Sequence, residues 1–215
     1  MSAAPDPSGV RRVARLSARA FDEALTALTA DHGDAAALDL RADAYGHGAI
    51  EVERRARAHG IARFIRDADA ASAVGPSAAV YGFARGGPPL LAVSGDVVAV
   101  KRVAAGTAVS YGYTYRTSAE STLALVALGY ADGVPRIASS TATVRIGERR
   151  GMIAGRIAMD QLVVDLGDGT AEVGDEAVLW DDAESFAAWC TATGRAPADL
   201  TTRLGARIRR VWSDA

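Results

Sequence analysis

The 215-residue sequence contains one cysteine, Cys190, and, among its 24 lysine plus arginine residues, one lysine, Lys101. A single cysteine excludes an internal disulfide. Cys190 follows Trp189 in an apolar helical pattern and reads as a packing residue. A single lysine restricts any chemistry that needs a neutral side-chain amine, because a guanidinium stays protonated at ordinary pH. No apolar run approaches the roughly 18 residues of a membrane span. Residues 1–9 lack the apolar stretch of a secretory signal, so a cytoplasmic protein is expected. The formal net charge of -2 supplies neither a basic footprint for nucleic acid nor a polybasic membrane anchor. No His, Cys and carboxylate spacing suggests a metal site, and no GxSxG or glycine-rich phosphate loop occurs.

What is present is globular: 49% hydrophobic and 23% charged residues, enough for a core. Residues 1–16 read as a polar tail. Ser17 is a plausible N-cap for a helix carrying Phe21, Leu25 and Leu28, stopped by Gly33. Residues 35–40 form a short apolar run leading into a loop, ADAYGHG, at 42–48. Residues 50–59 have helical spacing, with Gly60 as the stop and Glu51 four residues before Arg55. His32 and His59 stand at helix ends, where a positive charge is favourable. Residues 61–65 and 78–83 are strand candidates, with a helix capped by Asp67 through Val74 between them. This alternation suggests parallel βα units.

After Gly86-Gly87-Pro88-Pro89 the texture changes. Strand signals at 96–103, 122–128, 142–146, 161–166 and 176–180 follow one another without long helices, which predicts a mostly antiparallel barrel or sandwich. Helices over 184–193 and from about Asp199, and a last strand over 208–212, close the chain. The boundary falls near residue 90, giving units 1–90 and 91–215.

Four stretches occur in order: ADAYGHG at 42–48, VSYGYTYRT at 109–117, GYADGVPR at 129–136 and GRIAMDQ at 155–161. TRLGARIRRVW at 202–212 ends the series. Together they resemble the alanine racemase family, over nearly all of 95–212 and roughly 17–75; residues 74–83 resemble the last barrel strand of that family. The resemblance implies a (β/α)8 barrel holding pyridoxal phosphate, followed by a β domain, and a reaction that interconverts L- and D-alanine. Such barrels take ~200–250 residues, whereas ~90 precede the β domain here. The expected fold is therefore an α/β remnant of that barrel, followed by a β-barrel-like domain with terminal helices.

By the same resemblance, Arg41 stands where the family carries the Schiff-base lysine. A guanidinium neither forms an imine nor serves as a general base, so no internal aldimine is expected. Lys101, the one alternative side-chain amine, reads as a solvated strand residue. Side chains two apart on a strand share a face, so Asp39 and Arg41 are expected to form an ion pair that neutralises the displaced charge, unless both are simply solvated. Tyr111 matches the second catalytic base, which acts across a dimer. Tyr130 matches a residue of the substrate access path, Met159 and Asp160 match residues near the substrate carboxylate and phosphate, and Tyr45 matches the phosphate-anchoring tyrosine. Taken alone, Tyr111, Tyr113 and Tyr115 could equally be strand aromatics, and Tyr45 and His47 turn residues. Three readings follow: a homodimeric family member without racemase activity of its own, a subunit that donates Tyr111 to a full-length racemase, or an enzyme that still uses pyridoxal phosphate non-covalently.

Overall fold

A computed structural model describes residues 9–66, 77–83 and 87–214. The chain begins with β1 (Arg12–Ser17) and α1 (Ala18–His32), followed by β2 (Ala37–Asp39), the short turn α2 (Arg41–Gly46), α3 (Ala49–Ala58), β3 (Arg63–Ile65) and α4 (Ser77–Val80). There follow β4 (Leu91–Val103), β5 (Ala108–Val109), β6 (Tyr115–Arg116), β7 (Ser121–Val126), β8 (Thr143–Ile146), β9 (Arg149–Ile153), β10 (Leu162–Asp165) and β11 (Glu176–Trp180). Helices α5 (Ala183–Thr193) and α6 (Pro197–Thr202) and strand β12 (Arg209–Ser213) end it.

The β part is a closed barrel rather than a sandwich. Strands run β11-β8-β9-β10-β7-β4, and β11 pairs again with β4 to close the ring, every pairing antiparallel. Closure removes the exposed edges that an open sheet presents. Strand β4 is long enough to serve three partners. Residues 91–95 pair with β1 and 93–96 with β11, while 97–103 pair with β7. The ring encloses a core that includes Trp180, Trp189, Leu128, Ile153, Ile157 and Leu162, with half-buried Cys190 packed against it as a filler, as its sequence context suggests.

The polar-tail reading of residues 1–16 is corrected from Arg12 onward. β1 lies between β4, antiparallel, and β12, parallel, and extends the barrel sheet. Its alternation hides behind Arg12 and Arg15, whose side chains reach Asp132 and Glu176 while Val13, Ala14 and Leu16 go inside.

The N-terminal part has its own core of Phe21, Leu25, Leu38, Val52 and Tyr81. Ser17 caps α1 as expected, accepting from the Ala20 N–H, and Gly33 ends it at φ 50°. Among the described residues the parallel sheet here consists of β2 and β3, in the register Ala37↔Arg63 to Asp39↔Ile65. Residues 78–83 are not the expected strand. They form the end of α4 and a turn, in which Gly82 and Phe83 donate to the carbonyls of Ala79 and Ala78. These short-range bonds satisfy the backbone groups that a neighbouring barrel strand would otherwise take. The helix expected from Asp67 to Val74 lies outside the described residues. Half-buried Trp212 stacks on Phe21 at 5.2 Å and packs against both cores.

Candidate functional site

Strand β2 delivers Asp39 to its C-terminal end, and the chain then turns sharply. The stretch expected to be a loop is one turn of left-handed helix: Ala42, Asp43, Ala44 and Tyr45 all have φ between 51° and 57°. For L-residues this conformation costs about 1–2 kcal/mol each, so the surroundings must impose it. Several bonds do so. Asp43 accepts at its carbonyl from Gly48 and at its carboxylate from the Ala49 N–H at 2.8 Å, and His47 donates to the Ala44 carbonyl. Gly46 has no room for a Cβ, which would lie 2.1 Å from the Thr201 carbonyl oxygen. From the far end of the chain, the half-buried Arg210 donates to the Gly46 carbonyl at 2.9 Å and to those of Gly205, Leu204 and Ile208. Partial burial lowers the Arg210 pKa from its ordinary value, against the opposing pull of the Asp43 charge.

Asp39 and Arg41 form the expected ion pair. Arg41 Nε lies 2.9 and 3.1 Å from the two Asp39 oxygens and Nη2 lies 2.5 Å from Oδ2, while the Arg41 backbone N–H donates to Oδ1 at 3.0 Å. Tyr45 adds its hydroxyl to Oδ2 at 2.6 Å. Arg41 opens α2, immediately before the left-handed run, and lies outside β2, so the turn, not strand alternation, brings the two together. The Asp39 side chain is fully buried and that of Arg41 is 19% exposed. Burial pushes the Asp39 carboxyl up, but the bonds from Arg41 and Tyr45 outweigh it and hold the carboxyl below its ordinary value. Burial, then the bond to Asp39, raises the Tyr45 phenol to about 12. Buried Tyr81 donates to the Asp39 carbonyl at 2.5 Å and stacks edge-on against Tyr45.

His47 is completely buried against Tyr81 and Phe83. Its Nδ1 faces the Ala44 and Tyr45 carbonyls at 2.9 and 3.1 Å, which makes Nδ1 the protonated nitrogen and leaves buried Nε2 without a partner. Burial lowers its pKa to about 4.

The second group of expected site residues is built on the barrel. Tyr111 lies in the turn between β5 and β6, so it is not a strand aromatic; Tyr115 is in β6 and its hydroxyl donates to Asp165 at 2.8 Å. The Tyr111 hydroxyl accepts from Arg136 Nη2 at 2.6 Å and reaches the Ile157 carbonyl at 3.3 Å. The Arg136 guanidinium also sits 5.6 Å from the Tyr130 ring, and Arg156 sits 5.6 Å from the Tyr111 ring. Tyr130 and Ala131 donate their N–H groups to the Ala158 and Met159 carbonyls, so the GYADG and GRIAMDQ motifs are stitched together. A Cβ on Gly129 would fall 2.2 Å from the Met159 carbonyl oxygen, which explains the glycine there. Asp160 pairs with Arg207, which also reaches the buried Asp132. Tyr111, Tyr113, Tyr130, Ile137 and Met159 are all exposed, Tyr113 at 69% and Met159 at 54%.

Thus Arg41, Asp39 and Tyr45 converge on one cluster, and Tyr111, Tyr130, Met159 and Asp160 share a face on the barrel. Arg136, Arg156, Arg210 and Tyr81 complete these groups and were not singled out in the sequence. Arg136, Arg156 and Arg210 do lie inside the motifs GYADGVPR, GRIAMDQ and TRLGARIRRVW, and Tyr81 inside residues 74–83, but nothing local marks the contacts they make. Among the described residues no cluster of potential metal ligands occurs, and no helix is long and apolar enough to cross a membrane.

Pyridoxal phosphate held as an imine does not fit this cluster. The side chain at position 41 is a guanidinium with no exchangeable neutral amine. The donors beside it, including the Tyr45 hydroxyl, already serve the Asp39 carboxylate.

Comparison with known proteins agrees with the motifs. The family model for the alanine racemase C-terminal domain matches residues 90–212. An alanine racemase from Thermobifida fusca is 38% identical over 205 residues, covering 86% of this chain and 54% of that protein. One from Frankia casuarinae is 40% identical over 185 residues, covering 75% and 48%. The chain thus spans about half the length of the curated relatives it matches. Alanine racemase structures from Streptomyces lavendulae (TM-score 0.80, 23% identity, covering 94% of this chain and 97% of the other) and Bartonella henselae, the latter with covalently bound pyridoxal phosphate (0.82, 17%, covering 94% and 99%), share the fold. These superpositions run from near one end to near the other of each chain. The match of the family model across residues 90–212, which include the β barrel and the Tyr111 face, makes this chain a member of the alanine racemase family.

Proposed function

We propose that this chain is a racemase-family protein that does not interconvert alanine enantiomers on its own, and that it acts through its β barrel as one subunit of a dimer. The observation that carries this reading is the position 41 side chain: an arginine held bidentate by a buried aspartate. The family reaction needs a group at this position that gives up and takes back a proton, and a guanidinium in an ion pair does neither. Asp39 raises the Arg41 pKa further.

The face around Tyr111 supports the subunit role. Arg136 fixes the Tyr111 hydroxyl and also faces the Tyr130 ring, and Tyr113, Tyr130, Ile137 and Met159 are exposed. Aromatic, methionine and arginine side chains of this kind are enriched in protein interfaces. The simplest assembly is a homodimer. A second reading, in which the chain donates this face to a full-length racemase, is favoured by the contrast between an ordered Tyr111 network and an Arg41 side without the family amine.

Size exclusion of the chain alone and mixed with a full-length alanine racemase tests the subunit role. A dimer of the chain supports the first form, and co-elution with the racemase supports the second. A monomer that co-elutes with nothing refutes both.

A further inference from the structure

We infer that the outer face of the barrel carries a binding groove for a small amphipathic carboxylate, a free fatty acid of short to medium chain, with Lys101 holding the carboxylate. The floor of the groove comes from three neighbouring strands. Lys101 of β4 lies opposite Leu123 of β7, Ala99 opposite Leu125, and Leu125 opposite Val163 of β10. Residues directly opposite each other in an antiparallel pair share a face. Their neighbours along the strands, Ala124 and Val164, fill the barrel core, so Leu123, Leu125 and Val163 turn outward. All three are half-buried aliphatic side chains on the solvent side of the sheet. The wall is Thr107 to Ser110, in the β5–β6 hairpin. The hairpin is tied back to the end of β4, where the Thr117 hydroxyl donates to the Ala104 carbonyl at 2.9 Å and the Gly106 N–H to the Thr117 carbonyl at 2.8 Å. Floor and wall bound about 300 Å³, at the lower end of the range for small-molecule sites.

Three lining side chains are polar: Lys101, Thr107 and Ser110. The Thr107 hydroxyl donates to the Ala104 carbonyl at 2.7 Å and the Ser110 hydroxyl to the Arg156 carbonyl at 2.6 Å, so neither has a proton left to donate. Lys101 differs. It makes no hydrogen bond or ion pair among the described residues, and no carboxylate lines the groove. Its chain neighbour Arg102 is by contrast bound to Glu120, Thr122 and the Gly167 carbonyl. An ammonium with unspent donors at the edge of an aliphatic floor is complementary to one anionic head joined to an apolar body. One cation without an acid selects a single negative charge over a zwitterion, whose ammonium would meet no carboxylate. The inference uses neither position 41 nor Tyr111, so it stands or falls apart from the proposed function.

The experiment is an NMR and calorimetric titration of the full chain with hexanoate, heptanoate and octanoate, each below its micellar concentration. Octanoate is expected to shift the Leu123, Leu125 and Val163 methyl signals. Affinity is expected to rise about two- to fourfold with each methylene, the upper value being that of full burial. Lys101→Gln is expected to weaken octanoate at least about threefold and to leave the binding of uncharged 1-octanol unchanged. Methyl signals that octanoate leaves unmoved overturn the inference, as does an affinity that does not grow with chain length, and neither result depends on a variant folding. Methyl signals that follow protein concentration instead of octanoate give the groove to a second copy of the chain and overturn it too. A folded Lys101→Gln protein that binds octanoate as well as the wild type, or that loses octanol equally, overturns it as well.

Discussion

The Arg210 guanidinium, almost at the end of the chain, donates to the carbonyl of Gly46 in the turn after the second strand, 164 residues away in sequence. That one side chain ties the left-handed turn of 42–45 to the segment between α6 and β12, where it also takes the Leu204, Gly205 and Ile208 carbonyls. The cluster around Arg41 thus depends on the barrel domain for its shape. Arg210→Ala leaves several buried carbonyls unsatisfied, each costing about 1–3 kcal/mol. The variant is expected to lose several kcal/mol in urea unfolding, and a loss below about 1 kcal/mol would show that the turn holds itself.

Gly46 tests the same contact from the other side. Its φ of 82° disfavours any side chain, and a Cβ would lie 2.1 Å from the Thr201 carbonyl oxygen. Gly46→Ala is expected to destabilise the protein by more than the ~1 kcal/mol that positive φ alone costs, because α6 must also move. A melting temperature equal to the wild type would contradict this packing.

Asp39 and Arg41 are not interchangeable in their costs. Removing Asp39 takes the buried carboxylate from a partly buried cation, whereas removing both partners takes away the cation as well and leaves only the Tyr45 hydroxyl to find another acceptor. Asp39→Ala is expected to cost about 3–5 kcal/mol, and the double variant Asp39→Val with Arg41→Leu distinctly less. Because the Asp39 carboxyl lies below its ordinary pKa in the fold, its contribution is present above the unfolded value of ~3.9 and is lost as pH falls through the folded value. Additive single-variant losses in a double-mutant cycle would show that the pair contributes nothing jointly.

His47 sets a different pH window. Burial holds its folded pKa near 4, against 6.5 for the ordinary imidazole. Between those values the unfolded chain binds a proton that the folded chain refuses. Stability is therefore complete above about pH 6.5 and falls toward pH 4, by at most ~1.4 kcal/mol per pH unit. His47→Gln is expected to be less stable at pH 7 yet to show a shallower loss from pH 6.5 to 4.5. An unchanged slope would assign the acid sensitivity to other groups.

The exposed barrel face is expected to act in association and not in folding. Tyr113→Asp with Met159→Asp places charge on two side chains that are 69% and 54% exposed. The double variant should unfold at the wild-type temperature and elute as a monomer. A variant that stays dimeric would move the interface elsewhere.

Much of this could be read in the sequence because the signals were local. The Asp39–Arg41 pair needs only a two-residue spacing, and the helix over 18–32 announces itself with Ser17 and Gly33. The features without a local signal are long-range. β1 reads as a tail because its partners, β4 and β12, lie far away and two of its six residues are arginines. β9 hides for the same reason behind Arg149 and Arg150, although Gly147-Glu148 marks its hairpin turn with β8. Residues 78–83 carry an apolar strand pattern, but with no ladder beside them among the described residues the alanine-rich segment curls into a turn, and Tyr81 joins the cluster through Asp39. No local pattern places the left-handed run at 42–45, since alanine and tyrosine do not choose that conformation unaided.

The most direct test of the central claim is alanine racemisation by the purified chain with added pyridoxal phosphate, wild type beside Arg41→Lys. No turnover above the blank is expected from the wild type, and none from Arg41→Lys, because Asp39 remains to hold the new ammonium and the chain spans about half the length of its relatives. Turnover by the wild-type chain would contradict the account.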